Sequence, residues 1–169
     1  MDRESRIREA LRRLIGLYEK RPQKALSSIA AAAVIEDGVK VTFTEGGQKA
    51  VMDFPEPMGG EGAGPTPGFF ARGGVTGCVA IGIKQAAILK GLTFHKVVVN
   101  IETDFDDSAV YGMGDASAGP LETRFAIHID TPEPQATVAA LVEDVLNRDS
   151  WFLALRDAQQ VQTQVKVSI

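Results

Sequence analysis

Along the first twenty residues, Ile7, Leu11, Leu14, Ile15 and Tyr18 recur at helical spacing, while Arg3, Arg6, Arg8, Arg12 and Arg13 fall mostly on other faces. This predicts an amphipathic helix over residues 2–20, ended by Pro22. Two short apolar runs, 28–35 and 39–44, flank Glu36-Asp37-Gly38, and a third, 48–54, follows Glu45-Gly46-Gly47. Tight turns between such runs predict an antiparallel meander of three strands. Residues 55–68 are then dominated by Pro and Gly, which predicts a long loop.

Thr66 and Pro67 have the residue types of an N-cap and a first helical position, and Gly91 that of a C-terminal stop, so a helix is expected over 67–90. Val97, Val99, Ile101, Thr103 and Phe105 alternate with more polar neighbours, and Phe125, Ile127 and Ile129 repeat the pattern beyond a polar loop at 106–119. Both are read as strands with one covered face. A helix over 132–147 carries Val138, Leu141, Val142, Val145 and Leu146 on one stripe, 150–155 reads as a further helical turn, and the alternation of Val161, Thr163, Val165 and Val167 predicts a closing strand. Runs of strands set apart from helices indicate an α+β fold.

The 67–90 helix changes this picture in two ways. Gly73, Gly74, Gly77 and Gly82 lie in its interior, each costing roughly 1 kcal/mol relative to Ala, so close packing against a neighbour is expected. Phe69, Phe70, Val75, Val79, Ile81, Ile83, Ile88 and Leu89 also spread over every face, more than one sheet of this chain can cover. A homodimer burying this helix between subunits is the physical solution.

At 169 residues and 44% hydrophobic, the chain is long enough for one domain with a core. We divide it into an N-terminal amphipathic helix, 1–24, and a domain spanning 25–169. A net charge of −4 offers no general attraction for nucleic acid or an anionic membrane. No apolar run reaches membrane-spanning length, and the charged first helix lacks a signal-peptide core, so a cytoplasmic location is expected. With Cys78 alone, and His95 and His128 far apart, neither an intrachain disulfide nor a metal cluster is expected, and no cofactor motif is visible.

Several segments together resemble the OsmC/Ohr family, the osmotically inducible and organic hydroperoxide resistance proteins, over roughly residues 25–169. They are the run MDFPEPMGGEGAGPTPGFFARGGVTGC, the helix closing on Lys90-Gly91, VVVNIETDFD, the loop with Gly112 and Gly114, and ETRFAIHID with the helix and alternating strand after it. The resemblance implies antiparallel sheets packed around long central helices in an intertwined homodimer, with sites at the subunit interface. It further implies a peroxidatic cysteine at Cys78 that attacks the O–O bond of an organic hydroperoxide. A second cysteine would close a disulfide with it. An arginine from the N-terminal strands and a glutamate ten residues before the first cysteine would support the thiolate. Here Gly68 stands at the glutamate position, Ser150 is the best match for the second cysteine, and residues 24–49 contain no arginine.

Two functions follow as expectations. In the first, Cys78 is the nucleophile of a thiol-dependent peroxidase acting on a small hydroperoxide in oxidative stress defence. An external thiol replaces the resolving cysteine, and Glu61 substitutes for the missing glutamate if its loop folds over the helix. In the second, the dimer is non-catalytic and holds a small apolar or thiol-reactive ligand in an interface pocket lined by Phe69, Phe70, Trp151 and Phe152. Arg72 lies on a different face of the helix from Cys78, so Arg72 or Lys84 is the cation to consider for a partner's thiol.

Overall fold

The computed structural model describes residues 2–168. Helix α1 (Arg3–Lys20) opens on Asp2, whose side chain accepts the Ser5 N–H. The three strands β1 (Ala31–Val34), β2 (Val41–Glu45) and β3 (Gln48–Met52) form the expected antiparallel meander, with Ala31 opposite Glu45 and Val41 opposite Met52. Strand β1 is exposed at every residue.

A tied loop follows. Asp53, only 2% exposed, receives N–H bonds from Phe54 (2.8 Å), Glu61 (3.1 Å) and Ala63 (3.0 Å), so one carboxylate closes the chain from 53 to 63. Gly60 and Gly64 make the closure sterically feasible: a side chain at Gly60 would collide with the Phe54 carbonyl, and one at Gly64 with that of Val51. The loop delivers the chain to Thr66, whose hydroxyl caps α2 (Pro67–Lys90) through the Phe69 N–H, and Gly91 ends that helix in the left-handed conformation.

Strands β4 (Lys96–Asp104) and β5 (Glu122–Asp130) pair antiparallel over their whole length, Lys96 opposite Asp130. The loop between them contains a short helix, α3 (Asp107–Val110), capped by Asp106. Helix α4 (Gln135–Leu146) starts three residues later than expected from sequence, because Pro134 keeps Glu133 out of helical geometry. Helix α5 (Ser150–Arg156) is capped by Asp149.

Val79, Ile83 and Ala87 of α2 meet Leu141 and Val145 of α4 and Phe94 in the core, with Val97, Val99, Ile127 and Ile129 packed against them. The architecture is therefore α+β, with α2 at its centre, one face on the β4–β5 pair and α4. None of these core residues comes from the meander. Helix α1 lies across the C-terminal half of α2, held by Arg8 Nε donating to the Ile88 carbonyl (2.8 Å) and Lys84 Nζ bonding Glu4 (2.7 Å) and the Phe94 carbonyl (2.6 Å). No helix among the described residues is long and apolar enough to cross a membrane.

The closing strand is a correction. Residues 157–168 form neither helix nor strand, and Val161, Val165 and Val167 are 75%, 86% and 84% exposed. Alternation specifies two faces but supplies no ladder partner, and neither sheet of this chain pairs its edge with the segment.

Candidate functional site

Cys78 lies on the half of α2 that turns toward α4 and α5. Its thiol is partly buried and its pKa is pushed up, first by burial and second by the negative charge of Asp149. Asp149 is fixed by its capping role, with Oδ1 accepting the Phe152 N–H at 2.8 Å. Ser150 follows it as the first residue of α5, so the position expected of a second cysteine sits in the segment beside α2, on the exposed surface. One turn along α2, Gly82 allows the closest approach: a Cβ there would lie 3.1 Å from Val145 Cγ1 and 3.8 Å from Asp149 Oδ2.

Glu61 goes elsewhere. It is 76% exposed and pairs with Lys40 of the meander at 3.3 Å, while its backbone is tied to Asp53. Lys84 is likewise committed, to Glu4 and the Phe94 carbonyl. The thiol is thus raised in pKa by two influences, burial first and the negative charge of Asp149 second.

The four aromatic residues divide. Phe70 and Trp151 line a cavity of about 440 Å³ between the N-terminal half of α2, β4 and α5, together with Val75, Ile101, Phe105 and Leu155. Phe69 is 58% exposed and stacks edge-on against Phe70 at 5.6 Å without lining that cavity. Phe152 turns to the other side of α5, against Phe125 at 5.3 Å and beneath the Arg156 guanidinium. Residues adjacent in a helix diverge by about 100°, so Trp151 and Phe152 necessarily face different environments. The cavity also recruits Arg72, which sequence spacing had set apart only because it does not face Cys78. Its i, i+3 spacing to Val75 and i, i+4 spacing from Gly68 were the signal available.

A family model described as OsmC-like protein matches residues 60–164, which include α2, both long strands, α4, α5 and Cys78. The chain belongs to the OsmC-like family. Among solved structures, an OsmC-like protein from Mycoplasma pneumoniae is 17% identical, with 77% of this chain and 88% of that one covered at a TM-score of 0.65. An organic hydroperoxide resistance protein from Legionella pneumophila is 22% identical, with 78% and 90% covered at a TM-score of 0.55. A third, a hydroperoxide resistance protein from Vibrio cholerae with captopril in one of its active sites, is 15% identical, with 78% and 85% covered at a TM-score of 0.51. At these identities the likeness is one of fold. No curated protein sequence is matched.

In this OsmC-like chain, α2 has one row that no other element covers among the described residues. Phe69, Gly73, Gly77 and Ile81 follow one another at i, i+4 spacing. Phe69 and Ile81 are 58% and 60% exposed, and added Cβ atoms at Gly73 and Gly77 would meet nothing within 4 Å. The glycine at 82 therefore serves packing inside the chain, whereas those at 73 and 77 open a notch on its outside.

Proposed function

We propose that this OsmC-like protein binds a small apolar ligand in the cavity between α2, β4 and α5, as a homodimer that covers the outer row of α2. The carrying observation is the convergence of Phe70, Ile101, Phe105, Trp151 and Leu155 on about 440 Å³, within the size range of small-molecule sites. The dimer is supported by the exposed Phe69–Ile81 row and by the unpaired alternating segment after α5. A lone thiol with no partner cysteine suits a reducing, cytoplasmic setting. The test is thermal shift with apolar ligands together with native mass spectrometry. A retained small molecule or a raised melting temperature is expected; neither in any ligand series refutes the reading.

A second reading is favoured by one observation, that Cys78 is not fully enclosed and occupies the peroxidatic position implied by the resemblance. In it, the Cys78 sulfur attacks an oxygen of the hydroperoxide, the O–O bond breaks, the alcohol leaves with a proton, and a sulfenic acid remains. Two external thiols then reduce it, releasing water and their own disulfide. Burial and Asp149 both disfavour the required thiolate. Turnover of cumene hydroperoxide with a dithiol decides the matter: a rate above that of Cys78→Ser supports this reading, and equal rates eliminate it.

A further inference from the structure

The α2–α5 cavity is lined by apolar residues and glycines, by Thr103 and Gln159, and by Arg72. Among the described residues Arg72 is the only charged one in the lining, which holds no carboxylate; Thr103 and Gln159 are neutral. Its guanidinium enters no ion pair among the described residues. The group folds back over the first turn of α2, where a Cβ at Gly68 would lie 3.1 Å from Nη1, so the missing side chain at 68 is what leaves room for it beside the cavity.

An apolar cavity with a single unpaired guanidinium at its edge selects for a ligand of matching polarity. The fork of an arginine accepts a planar carboxylate through two parallel N–H bonds, and one guanidinium balances one negative charge. We infer that the cavity takes an apolar monocarboxylate, its tail against Phe70, Ile101, Phe105, Trp151 and Leu155 and its carboxylate on Arg72. This rests on the apolar-ligand reading above and adds the head group. Cys78 does not line the cavity, so binding requires no thiol chemistry.

Trp151 is the sole tryptophan and lines the cavity, which makes its fluorescence a direct readout. Decanoate and decanol, equal in chain length and different in charge, are titrated against the full chain. Because Arg72 is exposed, a preference for decanoate of roughly three- to tenfold is expected, shrinking as salt is added. Arg72→Gln, a surface change that leaves the core intact, should reduce decanoate affinity to that of decanol. Equal affinities in the wild type, or a preference that survives Arg72→Gln or is indifferent to salt, overturns the head-group assignment and leaves the apolar-ligand reading standing. No response to either probe overturns both. Shielding of Trp151 from iodide that follows protein concentration and ignores both probes assigns the cavity to a second copy of the chain, and also overturns the inference.

Discussion

The carboxylate of Asp149 acts directly on Cys78 across the α2–α5 contact, adding to burial in holding the thiol protonated. The same carboxylate caps α5 through the Phe152 N–H. Asp149→Asn separates these roles, since an asparagine oxygen still accepts the cap hydrogen bond while its charge is gone. Alkylation of Cys78 by iodoacetamide near neutral pH should accelerate roughly two- to fivefold, with little change in melting temperature. An unchanged rate would remove Asp149 from the account.

The glycines of α2 make opposite predictions at neighbouring turns. Gly82→Val drives a branched side chain into Val145 and should cost about 1–3 kcal/mol in denaturant unfolding. A Cβ at Gly77 meets nothing within 4 Å, so in Gly77→Leu the fold should survive with native circular dichroism while sedimentation shifts from dimer to monomer. A dimer that persists in Gly77→Leu would place the subunit contact elsewhere.

Asp53 should make the 53–63 loop acid-sensitive. The Ala63 N–H first, then those of Glu61 and Phe54, stabilise its ionised form, and its pKa lies below the ordinary 3.8. A depressed carboxylate contributes stability above its unfolded pKa and loses that contribution as pH falls through the folded one. Asp53→Ala should therefore lower the melting temperature at pH 7, and its deficit relative to wild type should narrow once pH drops below about 4. A deficit independent of pH would mean that the aspartate acts only by filling space.

Much of this was legible in the residue pattern. Helix α2 runs from Pro67 to Lys90 as its cap residues specified, because Thr66, Pro67 and Gly91 encode their roles locally. The meander was visible from the tight turns between its runs, and strands β4 and β5 from alternation. The closing strand failed because Val161, Val165 and Val167 state a period and not a partner. In the site, Phe70 and Trp151 line one cavity, whereas Phe152, one residue on, turns toward Phe125. Asp149 was invisible as a neighbour of Cys78, since the two meet only through the packing of α5 on α2. Arg72 does not face Cys78 on its helix, and its place in the lining of a cavity depends on how β4 and α5 pack against α2.

The central claim is that the OsmC-like scaffold here carries a thiol held protonated, beside a binding cavity, and not an activated nucleophile. Its most direct test is the pH dependence of Cys78 alkylation in the native protein, with denatured protein as reference. Burial and Asp149 predict an apparent pKa above that of free cysteine, about 8.5, and a native rate below the denatured one across neutral pH. An apparent pKa of about 7 or lower would contradict the account and return Cys78 to the role of a peroxidatic thiolate.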